Sequence, residues 1–182
     1  MRIIAGKAGS INLKSINNSN TRPTLDRVKE AMFSMLIPYI QNAVVLDLFA
    51  GFGGLGLEAV SRGASEAVLV ERSRKNIEVI KENISLCNFE KEVKVIRDDV
   101  FDFLKSNNKK FDIILMDPPY KKEFGEKLLK RIKKNHILKN NGIIVIEHSK
   151  KENLKSQNNL VKIKDKKYGD TKLTVFENRE EN

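Results

Sequence analysis

The chain has 182 residues, a formal net charge of +10 and an isoelectric point near 9.6, long enough to bury a core without disulfide staples. Its single cysteine, Cys87, cannot pair within the chain, and with only His136 and His148 beside it there is no cluster at zinc-ligand spacing, so no metal is expected. The N-terminal apolar stretch is too short for a signal peptide and no run of about 18 apolar residues could span a bilayer, so a cytoplasmic protein with no membrane partner is expected. The positive charge suits a polyanionic partner. The general richness in Lys, Asn and Ile makes that inference a modest one.

In chain order, Arg2 to Ala5 and Ile11 to Ser15 flank a turn containing Gly6 and Gly9, which predicts a small hairpin, followed by a polar link at Asn17 to Asn20. Pro23 then precedes a helix on which Leu25, Val28, Met32, Met35 and Leu36 recur at spacings of three and four. From residue 44 short β-branched runs alternate with helical patterns: a strand at Val44 to Phe49, a helix to about Arg62, a strand at Ala67 to Glu71, and a helix from about Ser73. Strands follow at Val93 to Ile96, Phe111 to Met116 and Gly142 to Glu147, the last two separated by a Lys-rich helix from about Lys121 to Lys134. This repeated β-α-β order predicts an α/β, doubly wound, mainly parallel sheet with ligands at the carboxyl ends of its strands. The runs Leu160 to Lys164 and Thr171 to Phe176 leave no room for a crossover helix and predict an antiparallel hairpin. Residues 1–40 are thus expected to form an extension, and residues 41–182 the main domain.

The stretch DLFAGFGGLG follows the first strand of the doubly wound region, and Gly51, Gly53 and Gly56 satisfy G-x-G-x-x-G with a helix behind them. Such a loop brings backbone N–H groups close to a nucleotide-like ligand. Glu71 ends the next strand, twenty residues after Gly51, where a carboxylate can accept both hydrogen bonds of a ribose diol. A nicotinamide dinucleotide would use the same loop and acid. However, Asp47, inside the strand before the loop, is a poor neighbour for a pyrophosphate and a good one for an ammonium or sulfonium group. Asp99, after the third strand, stands where an adenine amine could donate. Together they describe S-adenosylmethionine better than a nicotinamide cofactor.

The stretches DLFAGFGGLGLEAVSRGA, VER, DPPY and RPTLDRVKEAMF, with IIVIEHS and YGDTKLTVF further on, resemble the bacterial 16S ribosomal RNA guanine-N2 methyltransferases, a class I family, over nearly the whole chain. One departure is Phe52, where the family more commonly carries a small residue. The resemblance implies a seven-stranded Rossmann-like sheet closed by the last hairpin, with Asp47, Gly51, Gly53, Glu71 and Asp99 at cofactor positions. It also implies that Asp117, Pro118, Pro119 and Tyr120 form the catalytic motif. There Asp117 and the Pro118 carbonyl would accept from the two N–H groups of an exocyclic amine, the prolines would hold those acceptors rigid, and Tyr120 would stack on the extruded base. The partner would be 16S ribosomal RNA or an assembling small subunit, met by the extension through Arg2, Lys7, Arg22 and Arg27; a monomer is expected. Deleting residues 1 to 20 is then expected to spare cofactor binding.

Rival readings are a DNA adenine or protein glutamine amino-methyltransferase using the same corner, a nicotinamide-dependent oxidoreductase in which DPPY is only a strand stop, and a non-catalytic RNA-binding protein.

Overall fold

A computed structural model describes residues 1–16, 26–119 and 124–179. Its elements run α1 (Asp26–Leu36), β1 (Val44–Leu48), α2 (Gly54–Ser61), β2 (Glu66–Glu71), α3 (Arg74–Cys87), β3 (Val93–Arg97), α4 (Val100–Ser106), β4 (Phe111–Met116), α5 (Phe124–Lys134), β5 (Leu138–Ser149), β6 (Leu160–Tyr168) and β7 (Thr171–Asn178). The seven strands form one sheet in the order β3-β2-β1-β4-β5-β7-β6. β1 to β5 pair in parallel, while β7 runs antiparallel to both β5 and β6. The strand order reverses between β1 and β4, which opens a crevice at their carboxyl ends.

Alternation along each strand sends side chains to two apolar layers. Val45, Leu69, Ile113, Leu115, Val145, Leu173 and Val175 meet the buried faces of α1, α2 and α3. Leu46, Leu48, Val70, Ile114, Met116, Ile144 and Phe176 meet those of α4 and α5. Burial on both faces is why the central strands are continuous Val/Ile/Leu runs.

Several boundaries differ from the sequence expectation, most by one or two residues, and one helix was not expected. β1 ends at Leu48, because Phe49 takes a left-handed φ of +68° that no strand tolerates. The short helix α4, capped by Asp99 and buried through Val100, Phe103 and Leu104, is two turns long and leaves too little periodicity to read. β5 begins at Leu138, beyond an irregularity in its pairing with β4. β6 continues through lysines to Tyr168, since the edge strand of the sheet accepts charges that an interior one would not. The expected N-terminal hairpin is a single antiparallel bridge, Arg2 to Asn12, with Ile3 N–H donating to the Ile11 carbonyl at 2.9 Å and Ser10 N–H to that of Ile3 at 2.9 Å.

Ile3, Ala8 and Leu13 of the N-terminal segment, with Val28, Met32, Phe33 and Leu36 of α1, lie in the same apolar layer as β1 and α2. What locks them there is ionic. Glu58 of α2, fully buried, accepts from the backbone N–H groups of Ile4 at 2.7 Å and Ala5 at 3.1 Å and from Arg62 Nε at 2.6 Å. The equally buried Lys29 of α1 stands 3.2 Å from it and donates to the Arg2 carbonyl. Burial pushes the Lys29 ammonium below its ordinary pKa, and Glu58 pulls the other way.

Removing one partner of such a cluster leaves a charge stranded in the core. Glu58→Ala is therefore expected to lower the unfolding free energy by roughly 3–5 kcal/mol in urea titrations; a loss within the ±0.5 kcal/mol of a surface substitution would show that the cluster is not what holds the segment.

Candidate functional site

The carboxyl ends of β1, β2 and β4 bring together the glycine loop and three acids. After β1 the chain turns through Phe49, Gly51 at φ +57° and Gly53 at φ +86°, the last being the N-cap of α2. Only glycine takes two such conformations at little cost. At Gly56 the need is for space: a Cβ there would meet the Leu69 side chain at 2.5 Å, so α2 could not lie this close to β2.

Glu71 spans the crevice from the other side. Its Oε2 accepts from Gly51 N–H at 3.0 Å and its Oε1 from Ser73 N–H at 2.8 Å, which fixes the carboxylate between the glycine loop and the entry to α3. Each oxygen keeps a lone pair for a further donor, so a diol fits without displacing either backbone bond.

Asp47 is the most perturbed group of the site. It is 1% exposed, its Oδ2 accepts from Gly56 N–H at 2.8 Å, and its buried Oδ1 has no hydrogen-bond partner. Burial raises its pKa to about 7; the Gly56 bond acts against that, and the charges of Asp117 and Glu71 push it further up. A buried carboxylate oxygen without a donor is costly, and a cationic ligand in the crevice would relieve it.

Asp117 directly follows β4 and is half-buried, with Pro118 buried and Pro119 exposed; Tyr120 lies outside the described residues. Asp99 is exposed and caps α4, its Oδ1 accepting from Phe101 N–H at 2.9 Å.

Several participants had no sequence signal. Phe49, Phe101 and Phe124 form an aromatic wall: Phe124 lies 5.6 Å from Phe49 and 5.4 Å, nearly edge-on, from Phe101. They come from three separate elements and share no spacing. Asn83, fully buried on α3, donates from Nδ2 to the carbonyls of Phe52 at 2.9 Å and Lys14 at 3.1 Å, while its Oδ1 accepts from Lys14 N–H at 2.8 Å. The ring of Phe52 is itself buried. A Cβ at Gly54 would meet Met1 Sδ at 2.4 Å, so the first residue also rests on the start of α2. The N-terminal segment therefore supports the glycine loop, and its deletion would not spare that loop as expected from the sequence.

The four cations assigned to RNA phosphates have different settings. Arg2 pairs with Asp26 at 3.1 Å, and Arg27 is exposed on α1. Lys7 pairs with Glu92 at 3.1 Å and lies over Phe89, just before β3 and hence at the amino edge of the sheet, opposite Asp117. Arg22 lies outside the described residues.

Among the described residues no three His, Cys, Asp or Glu side chains are grouped to hold a metal, and no helix is long and apolar enough to cross a membrane. Cys87 is buried, which pushes its thiol up. His148 is buried with Nε2 at 2.7 Å from Thr174 Oγ1; burial, helped by Lys172, pushes it down to about 4. It is a neutral packed ring at physiological pH.

The family profile described as conserved hypothetical protein 95 matches residues 1–177. A Haemophilus influenzae protein named ribosomal RNA small subunit methyltransferase D is 35% identical over 98% of this chain and 94% of its own length. The Escherichia coli protein of the same name is 33% identical over 81% of this chain and 74% of its own. Of solved structures, yhhF of Escherichia coli superposes with a TM-score of 0.89 at 28% identity, covering 98% of both chains. An RNA methyltransferase from Salinibacter ruber, in complex with S-adenosyl-L-homocysteine, superposes at 0.70 with 14% identity, covering 88% of this chain and 96% of that one.

The raised pKa of Asp47 has a sign that can be measured. A carboxyl whose folded pKa lies above its unfolded value favours folding at low pH, and that contribution is lost as pH rises from about 3.8 through about 7. Asp47→Asn keeps the acceptor for Gly56 without the charge, so its stability relative to the unmodified protein should grow across that window. Between pH 5 and pH 8 the expected gain is on the order of 2–3 kcal/mol, at about 1.4 kcal/mol per pKa unit over the roughly two units from pH 5 to the folded pKa. Denaturant unfolding at pH 5 and pH 8 measures it; a difference independent of pH would mean that Asp47 is not forced to ionise in an unfavourable setting.

Proposed function

Since the chain belongs to the conserved hypothetical protein 95 family, which it matches along nearly its whole length, we propose that it transfers a methyl group from S-adenosylmethionine to the exocyclic N2 amine of a guanine in small-subunit ribosomal RNA. The observation that carries this reading is the meeting of Asp47, Glu71 and Asp117 at one sheet edge, close enough for the charges of two to raise the pKa of the third. That crevice suits a ligand with a positive charge and a ribose. A pyrophosphate beside Asp47 would be repelled, which counts against the nicotinamide reading.

Bound there, S-adenosylmethionine supplies a methyl group on a positively charged sulfur. Asp47 would offer its unpartnered Oδ1 to the cationic end of the ligand, Glu71 would accept from the ribose diol, and Asp99 with Phe49, Phe101 and Phe124 would hold the adenine. Gly51 and Gly53 let the main chain approach closely. Asn83 acts at one remove, holding the Phe52 carbonyl so that the loop keeps its course.

The target amine is a weak nucleophile because its lone pair is delocalised into the ring. Asp117 and the Pro118 carbonyl accept from its two N–H groups, which draws the nitrogen toward tetrahedral geometry and aims the lone pair at the methyl carbon. As the N–C bond forms, the bond from the methyl carbon to sulfur would break, with S-adenosylhomocysteine as the neutral leaving group, and the surplus proton on nitrogen would pass toward the Asp117 carboxylate. Pro118 and Pro119 make that acceptor pair rigid, and Tyr120 is assigned the face of the extruded base. The ribosomal RNA substrate is supported by the name and extent of the relatives, and residues 1–40 with Arg2, Arg22 and Arg27 are assigned to its backbone, while Lys7, at the opposite edge of the sheet, is left out.

The deciding experiment is labelled methyl transfer to small subunits, or to their protein-free RNA, from cells lacking the enzyme, followed by nucleoside analysis. N2-methylguanosine is the expected product; N6-methyladenosine or no RNA product would refute the reading.

Two substitutions divide binding from chemistry. Asp117→Ala should lower kcat by about 10²- to 10³-fold, the usual cost of one preorganised hydrogen-bond partner, with RNA affinity nearly unchanged. Glu71→Ala should weaken S-adenosylmethionine binding by roughly 1.5–3 kcal/mol in calorimetry, and unaltered affinity would remove Glu71 from the ribose.

A further inference from the structure

Residues 150–172 carry eight lysines against three carboxylates, a net of +5 in 23 residues, where the whole chain carries +10. None of this was assigned a partner by the reading of the N-terminal extension. The sheet topology determines where this charge lies. β7 is antiparallel to β5 and to β6, so β6 runs the same way as β4 and its last residues reach the edge of the sheet that carries Asp117.

Register identifies the face. Asp47 pairs with Leu115, Leu115 with Val145, Val145 with Val175, and Val175 with Lys164. These five residues form one row across the sheet and share one side of it. The next row of that side, nearer the carboxyl edge, runs Glu147, Leu173, Lys166. Lys164 and Lys166 thus project on the same side of the sheet as Asp47. Lys166 lies three strands from β4, about 14 Å at about 4.8 Å per strand. That distance is a few nucleotides of stacked strand at about 3.4 Å each.

Lys151, Lys164, Lys166 and Lys167 are exposed and take part in no ion pair among the described residues. Lysines on an edge strand also prevent sheet-to-sheet association, but that purpose would spread them along the strand. Here the first four residues, Leu160 to Ile163, hold one lysine and the next four, Lys164 to Lys167, hold three, at the end nearest the site.

We propose that the second half of β6, through Lys164 and Lys166, is a second RNA surface that holds the phosphates flanking the target nucleotide on the side away from the glycine loop. The proposal rests on the RNA reading above. Its chemistry is charge neutralisation by flexible ammonium groups, which positions a strand without reading its sequence.

The test measures binding of protein-free small-subunit ribosomal RNA over a salt series, for the unmodified protein and for Lys164→Gln/Lys166→Gln. Both side chains are exposed, so the fold is not at stake. Affinity should fall about 10-fold at low salt, and the slope of log K against log salt should shrink by nearly two, one for each phosphate that the variant leaves unneutralised. S-adenosylmethionine affinity should stay the same. Lys130→Gln/Lys134→Gln, exposed on α5 across the sheet, removes equal charge and should change neither slope nor affinity. An unchanged slope in the β6 variant, or an equal loss in the α5 variant, overturns the proposal. Nucleoside analysis separates the two readings. If the unmodified protein makes N2-methylguanosine while the β6 variant binds normally, only the surface is refuted; if it makes none while the β6 variant loses affinity as expected, only the substrate reading is.

Discussion

The buried contact between Glu58 and Lys29 is the constraint from which much of the remaining arrangement follows. Both side chains are fully buried, and a lone charge there would cost several kcal/mol. Glu58 is satisfied only when the backbone of Ile4 and Ala5, the ammonium of Lys29 and the guanidinium of Arg62 are all present. The N-terminal segment, α1 and α2 are therefore one cooperative unit, although more than fifty residues separate its ends.

That unit bears on the crevice because α2 is also the helix of the glycine loop. Glu58 is four residues past Gly54, where α2 begins, and the same segment continues through Lys14 to Asn83 and so to the Phe52 carbonyl. A loop rich in glycine is conformationally free in isolation. Here its course is set by Glu71 on one side, Asn83 on another and the axis of α2 behind it. An element assigned to RNA thus shares its support with the element assigned to the cofactor, and the protein places both with a single core.

The acids at the carboxyl edge work against that stability. Asp47 is held in a dry setting near two further carboxylates, with one oxygen lacking a donor. Such a group is retained at the expense of the empty fold and suits a site built to receive a cation. The left-handed Phe49 in the adjoining turn is a second local cost at the same place. By contrast His148, equally buried, is simply kept neutral by a hydroxyl partner and its surroundings.

By itself the sequence determined the order of the strands and of every helix but α4 from β1 onward, the parallel α/β class, the glycine loop, Glu71 as the acid that ends β2 and the DPPY corner after β4. Each is encoded locally, by alternation, by helical spacing or by a short run of glycine and proline whose backbone demands are intrinsic. Tertiary structure alone decided that Glu58 and Lys29 form a pair, that Asn83 supports the loop and that three phenylalanines share one wall. It also decided that Lys7 lies at the far edge while Lys164 and Lys166 stand in register with the site. Those facts depend on strand order and register, which bring together residues from 20 to more than 100 positions apart, and no local propensity records which distant neighbour a side chain will meet.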